Sequence, residues 1–519
     1  MTSILHPSAF MPPPFANRCP SMRISAIHGT LLSIGVWMSS SAVSPSVRAA
    51  REPRAAERWE EAIGAFEAAD RAHPPEKRGV LFVGSSTIRL WDTSRAFAAW
   101  HPINRGFGGS TIADVNRLFD RVVAPYAPRV IVFYSGDNDI QSGRSAADVA
   151  SDFAMFAEKV RAVSAETRIV FLSIKASVRR WDKWAAMRDA NERIRAILER
   201  DGRGTYVDTA PAMLGDDGKP RADLLKEDGL HLNDAGYRAW NALVEPALDE
   251  AIASHPPDRL ESDPRASLTF HATFDRSFDA DSARGDGRAR TASDPSRKDV
   301  QVGVRSDRIR LVDGGRWGRA VEFAPPKTPP ILIYAGEGNV PHGPGPIRGT
   351  VAFWMALTPD EDLEPGFVDP LQVTDKEWNN ACLFVDFSKD ERPRHFRLGV
   401  FSDYAYWNPM DRTWDAIAES ERPMIPIRTP PFRRDAWTHV AFTFHGFNTE
   451  APAPVVLYLD GVASGSLASP HRFTWDPARL AILLGIEFNG RIDDLAIFDR
   501  ALFPHEIRGL VAKPIAEPR

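Results

Sequence analysis

Four short polar clusters end or follow apolar runs in the first half of the chain: Gly84-Ser85-Ser86, Asn104-Arg105-Gly106-Phe107-Gly108-Gly109, Ser135-Gly136-Asp137-Asn138-Asp139 and Asp228-Gly229-Leu230-His231. A serine hydroxyl becomes a nucleophile when a base takes its proton, and a histidine is that base when a carboxylate fixes its tautomer. Asp228 stands three residues before His231, within reach of Nδ1, which leaves Nε2 to accept the proton. The glycines between 106 and 109 permit backbone conformations that aim N–H groups at a ligand. An amide such as that of Asn138 donates to a developing oxyanion. Each cluster alone is ordinary: Gly-Ser-Ser and Asx-rich turns are common without function, and Asp-x-x-His arises by chance. Their succession at strand ends is what carries meaning.

The elements that must position them are legible in the hydrophobic pattern. Short apolar runs at 80–83, around Ile103, at 130–134, 169–174 and 206–207 alternate with helix-period segments at 112–123, 146–165, 184–200 and 233–253. Runs without polar alternation belong to strands covered on both faces, as in a parallel sheet flanked by helices. The first half is therefore expected to be a doubly wound α/β layer of about five parallel strands, whose ligand crevice lies at the strand carboxyl ends. Each cluster falls at such an end, with Asn233 capping the last helix. Ahead of this domain, Trp59, Ile63 and Phe66 recur at helical spacing and predict an amphipathic helix within 51–78, ended by Pro74-Pro75.

In this order the four clusters resemble the four sequence blocks of the SGNH (GDSL-type) ester hydrolases, over about residues 79–255. The resemblance implies a flavodoxin-like fold and catalysis without a required cofactor or metal. It assigns Ser86 as nucleophile, His231 as general base and Asp228 as its orienting partner, with an oxyanion hole formed by the Ser86 N–H, Gly109 and Asn138. The chain departs from many members in having Ser85 where they have Asp, so no carboxylate at that position helps place the nucleophile. Signatures of competing chemistries, G-x-S-x-G, H-E-x-x-H and G-x-x-x-x-G-K-[ST], are missing from the sequence. Between the third and fourth blocks, KASVRRWDKW (175–184) follows a strand onto the same rim. Arg179, Arg180, Trp181 and Trp184 are candidate contacts for an anionic or sugar-like substrate, through charge and stacking. A solvated loop over packed tryptophans is the equal alternative.

The stretch 256–266 is polar and proline-rich and reads as a linker. Beyond it, over 267–512, helical periods give way to short strand-like runs, with a hairpin signal at Asp460-Gly461. GRWGRAVEF (315–323), GTVAFW (349–354), WTHVAF (437–442), LYLDG (457–461) and GRIDDL (490–495) resemble successive strands of a laminin-G or concanavalin A-like β-sandwich. The acidic stretch 279–286 offers oxygen ligands of the kind calcium favours and is a possible structural calcium site, though it lacks EF-hand spacing.

Composition bounds the rest. The 519 residues, with formal charge −5 and 43% hydrophobic content, allow two to four globular domains and offer no basic surplus for nucleic acid. No apolar run reaches the length of a transmembrane helix. Arg18 and Arg23, the apolar stretch 24–38 and the small residues 39–50 follow the order of a secretory leader over 1–50, which predicts a periplasmic, cell-surface or extracellular protein. Cys19 and Cys382 are the two cysteines, and with Cys19 in the leader no intramolecular disulfide is expected. Together these features predict an exported serine ester hydrolase for acetylated carbohydrate or similar esters, with a sandwich that binds a polysaccharide. The alternatives are a lipase or lysophospholipase and a non-catalytic carbohydrate-binding surface protein; the joint presence of Ser86, Asn138, Asp228 and His231 argues against the last.

Overall fold

The computed structural model describes residues 57–515 except 76, 255–262, 327–329 and 390, so the expected leader and most of the expected linker lie outside the described residues. Strands β1 (Val80–Gly84), β2 (Ile103–Gly106), β3 (Val130–Tyr134), β4 (Arg168–Leu172) and β5 (Gly204–Val207) form one parallel sheet in the order 2-1-3-4-5. All five residues of β1 and of β3 are buried, as the lack of polar alternation requires. This order places a topological switch between β1 and β3, where crossovers leave toward opposite sides and open a crevice at the strand ends. The expected helix at 112–123 is divided at Leu118 into Ile112–Arg117 and Phe119–Val122.

The N-terminal helix Glu60–Ala72 is tied to this layer by charge as well as by its apolar face. Arg121 donates to Glu67 at 2.6 Å and Glu60 at 2.8 Å, while Asp70 accepts from Arg105 and from the Tyr126 hydroxyl. Trp59 donates its indole N–H to the Gly108 carbonyl at 2.9 Å, which fastens the start of this helix to the glycine loop after β2.

The second half is a sandwich of a nine-stranded and an eight-stranded antiparallel sheet. Alternate residues interdigitate between them, Phe353, Phe442 and Ile497 from one sheet against Leu371, Leu383 and Leu484 from the other. Asp460 and Gly461, both at positive φ, close the two-residue hairpin between Ala453–Leu459 and Val462–Ser469. Several strands exceed the sequence reading, among them Ile309–Gly315, Ile331–Ala335, Val368–Thr374 and Val462–Ser469. Pro370 within the third and the small residues VASGSLAS of the fourth mask the usual strand pattern.

The outer face of the nine-stranded sheet is also covered. Ala441, Ala352 and Ala496 are register partners across three neighbouring strands, and this row of small side chains lets the α/β domain approach the sheet closely. These alanines, Tyr458 and Phe498, with Ile507 and Leu510 of the C-terminal helix Pro504–Ala512, belong to one apolar cluster continuous with the α/β core. His101 stacks on His445 with ring centroids 4.1 Å apart, and Arg508 pairs with Asp249. The sandwich is thus packed on the α/β domain rather than strung from it.

The calcium expectation fails on the same geometry. Asp281 accepts from the Thr273 backbone and hydroxyl, Asp279 from the Ala289 N–H, and Asp286 is held by Arg288 and Arg290. The carboxylates are spent on separate partners, and among the described residues no group of three or more His, Cys, Asp or Glu side chains is placed to hold a metal. Cys382 is a buried free thiol. No helix among the described residues is long and apolar enough to cross a membrane.

Candidate active site

Gly84 ends β1 at φ +146°, where a Cβ would lie 1.8 Å from the Tyr134 carbonyl oxygen. Only glycine lets the ends of β1 and β3 come this close. The Ser85 N–H then bonds the Tyr134 carbonyl at 3.1 Å, and Ser86 opens the short helix Ser86–Arg89, its own N–H in the first turn, where no intrahelical acceptor exists. Ser85, the neighbour of Ser86, is fully buried.

The loop before the helix Asp234–Ala253 brings the fourth cluster over Ser86. His231 Nε2 lies 2.9 Å from Ser86 Oγ, and Nδ1 lies 2.6 Å from Asp228 Oδ2. Asp228 Oδ1 accepts the backbone N–H groups of Leu230 and His231, each at 2.9 Å. Burial pushes the Asp228 carboxyl upward, but the His231 ring and these two N–H groups outweigh it and hold the carboxyl well below the usual carboxylate range. An ionised Asp228 favours the tautomer that donates Nδ1–H, leaving Nε2 as acceptor for the serine hydroxyl. Asn233 caps the following helix through Ala235 and Gly236, and Tyr237 donates to the Thr87 carbonyl at 2.9 Å, so the helix holds both ends of this chain of bonds in register.

The second and third clusters meet beside the serine. Gly109 sits at φ +76°, and Asn138 Nδ2 donates to the Ser110 carbonyl at 3.0 Å, leaving its other N–H for a ligand. The amide oxygen of Asn138 is held from behind: Arg180 Nη2 donates to it at 2.9 Å, while Arg180 Nη1 lies 3.1 Å from Asp137 Oδ2. Lys175, only 1% exposed, lies 3.5 Å from the same carboxylate and donates to the Tyr134 hydroxyl at 3.2 Å. Burial drives the Lys175 pKa down, opposed by Asp137. One buried carboxylate between two cations fixes the asparagine's orientation through a charge-assisted bond.

The four rim candidates part company here. Arg180 turns inward to Asn138 and Asp137, and Trp184 is buried in the core. Trp181 is 37% exposed and stacks on Trp184, and Arg179 is exposed, its backbone N–H bonded to the Gly229 carbonyl in the His231 loop. Charge and aromatic type in KASVRRWDKW marked the segment but not which side chain faced in. Asp137 and Lys175 were not singled out by sequence; a lysine ending the apolar run of β4 was the available signal.

Residues 86–239 match the model of the GDSL-like lipase/acylhydrolase family, and residues 346–508 that of the concanavalin A-like lectin/glucanases superfamily. Among solved structures, a GDSL-like lipase from Bacteroides thetaiotaomicron is 22% identical, with 38% of this chain and 97% of that one covered at a TM-score of 0.33. A carbohydrate esterase family 3 protein from Talaromyces cellulolyticus is 17% identical, with 34% and 99% covered and a TM-score of 0.28. Domain 4 of an extracellular arabinanase from Geobacillus stearothermophilus, solved with arabinotriose, is 17% identical, with 47% and 98% covered and a TM-score of 0.31. No curated protein matches the sequence.

Proposed function

We propose that this chain, a GDSL-like ester hydrolase domain joined to a concanavalin A-like domain, cleaves its ester through an acyl-enzyme on Ser86. The observation that carries this reading is the unbroken chain Asp228–His231–Ser86, with links of 2.6 and 2.9 Å. His231 takes the Ser86 proton as Oγ attacks the ester carbonyl, and the new oxyanion is met by the N–H groups of Ser86 and Gly109 and by the Asn138 amide. His231 then gives its proton to the departing alcohol. Water, deprotonated by the same nitrogen, attacks the acyl group; collapse of that second oxyanion expels Ser86 and releases the acid.

The substrate we infer is an acetylated carbohydrate or similar ester, a reading supported by the joining of an ester hydrolase to a concanavalin A-like domain, and therefore by association. The leader-like order of charged, apolar and small residues over 1–50 supports our reading of export to a compartment where such polymers occur.

The test uses the full chain on p-nitrophenyl acetate, p-nitrophenyl decanoate and acetylated xylan, beside Ser86→Ala. Hydrolysis by the wild type with acetate preferred, and loss in the variant, is expected, together with fluorophosphonate labelling of the wild type alone. Equal inactivity of both proteins would end the enzyme reading, and rates that climb with acyl length would replace the deacetylase with a lipase.

A further inference from the structure

Trp59 stands ahead of the strands of the α/β domain and outside residues 86–239 that match the ester hydrolase family, yet it reaches the loop that carries Gly109. Its ring is 6% exposed and lies edge-on to Phe107 with centroids 5.5 Å apart, and its indole N–H donates to the Gly108 carbonyl oxygen at 2.9 Å. The same N-terminal segment touches the loop on either side of this bond. Asp70 pairs with Arg105 before it, and the Arg58 guanidinium lies against Gly109, with Nη2 3.0 Å from the point a Cβ there would occupy.

The bond to Gly108 falls on a peptide group of particular consequence. Phe107, Gly108, Gly109 and Ser110 form a β-turn: the Ser110 N–H bonds the Phe107 carbonyl at 3.4 Å, the Ser110 hydroxyl donates to the same oxygen at 2.9 Å, and Gly109, third in the turn, has the positive φ (+76°) of the type II form. The Ser110 carbonyl in turn accepts from Asn138 Nδ2 at 3.0 Å, so this turn is the common reference for two of the assigned oxyanion donors. The peptide that links Gly108 to Gly109 is the centre of the turn. It is a rigid trans plane, in which the Gly108 C=O and the Gly109 N–H point in opposite directions. Type I and type II turns differ by about a half-turn of this central plane. Such a rotation would put the Gly108 oxygen where the Gly109 N–H now points, an acceptor in place of a donor. Two glycines have no Cβ to oppose it. The indole bond does oppose it, because the rotation takes the Gly108 oxygen away from Trp59. Among the described residues nothing accepts the Gly109 N–H, which is therefore available to a ligand.

We propose that Trp59 is a positioning residue for the oxyanion hole: by holding the Gly108 oxygen it keeps the Gly109 N–H aimed at the oxygen of the ester carbonyl. The inference rests on the reading of Gly109 as an oxyanion donor in the Ser86 reaction. The donated bond also polarises the 108–109 peptide and so strengthens its N–H as a donor. The N-terminal helix then belongs to the reacting unit, since the side chains that dock it on the α/β layer also carry Trp59 to its bond.

The test uses the full chain and compares Trp59→Phe, which keeps a ring against Phe107 and removes the N–H, with wild type, Asn138→Ala and Ser86→Ala. Fluorophosphonate labelling carried to its end point counts the competent sites, and p-nitrophenyl acetate hydrolysis is expressed per labelled site. Complete loss of one oxyanion donor costs about 10²- to 10³-fold, so misaiming one is expected to lower kcat about 10- to 100-fold in Trp59→Phe, with KM within about threefold of wild type. Affinity for phenylboronic acid, whose tetrahedral adduct on Ser86 places an oxygen in the same hole, should fall by a similar factor. A role in packing alone would lower the thermal midpoint and the labelled fraction but leave the rate per labelled site unchanged. A rate per labelled site in Trp59→Phe within about twofold of wild type, with Asn138→Ala slow, would overturn the inference and leave the esterase reading intact. A wild type no faster than Ser86→Ala would overturn both.

Discussion

Replacing Arg180 with Ala separates two roles for a side chain that the sequence placed on the substrate rim. In the structure its guanidinium bonds the Asn138 amide oxygen at 2.9 Å and lies 3.1 Å from Asp137. Without it, Asn138 keeps only its bond to the Ser110 carbonyl and swings about that contact. A hydrogen bond to a charged group contributes about 1.5–3 kcal/mol, so up to that much of the orientation of the oxyanion donor is lost. The expected result is a fall in kcat of about 10- to 100-fold on p-nitrophenyl acetate, followed by release of p-nitrophenolate, with KM within about threefold of wild type. Asn138→Ala removes the donor itself and lowers kcat by about 10² to 10³. Since Arg180 acts through Asn138, the double variant should be no slower than Asn138→Ala alone. Added guanidinium should restore part of the activity of Arg180→Ala and none of that of Asn138→Ala. Additive losses in the double variant, or a raised KM with unchanged kcat, would refute the positioning role and return Arg180 to the substrate.

Other outcomes follow from the same geometry. Ser86→Ala lowers kcat by about 10⁴ or more, and Asp228→Asn by about 10⁴ because the tautomer is no longer enforced; activity within tenfold of wild type in either would break the assignment. Asp139, buried after β3, has its carboxyl pushed up to about 7 by burial, although Oδ1 accepts the Ile112 N–H at 3.0 Å. A folded pKa above the unfolded one gives stability that is full at acid pH and lost as pH rises through about 7. Urea titrations from pH 4 to pH 8 should therefore show Asp139→Asn gaining on wild type by on the order of 4 kcal/mol, and a pH-independent difference would contradict the burial argument. Gly84→Ala forces a Cβ into the Tyr134 carbonyl and should cost stability on the order of 3 kcal/mol or more, read as a lowered urea midpoint with impaired Ser86 reactivity; a wild-type midpoint would show that β1 and β3 can separate. At the contact between the halves, burial holds His101 well below its ordinary pKa and lowers His445 to about 4. Depressed histidines contribute stability above their unfolded pKa that is lost as pH falls through the folded one. Acidification to about pH 4 should thus loosen the packing, seen as hydrogen exchange rising first near Ala98–Trp100 and Ala453–Leu459.

Much of the site was readable before any coordinates. Glycines, serine, asparagine, aspartate and histidine at strand ends are local signals, because turn chemistry and the two hydrophobic periods are set by residues close in the chain. That locality is why β1 and β3, the helix Asp234–Ala253 capped by Asn233, and the Asp460-Gly461 hairpin emerged from sequence. Tertiary structure alone decided what depends on which distant groups share a low-dielectric space. Arg180 met Asn138 across 42 residues, and Lys175 met Tyr134 across 41, contacts made by the parallel crossovers and invisible to spacing. The same cause overturned the calcium site, since Asp281, Asp279 and Asp286 each found a different partner. It also decided that the row Ala441, Ala352 and Ala496 forms a docking face: in sequence they are three alanines in three strands, and only the antiparallel register lines them up. The sequence by itself determined the two fold classes and the order of the four polar clusters, because these follow from local periodicity and motif order. The tertiary structure decided how charges are neutralised, which rings face solvent and how the two halves are joined, because desolvation and packing depend on neighbours that the linear chain does not show.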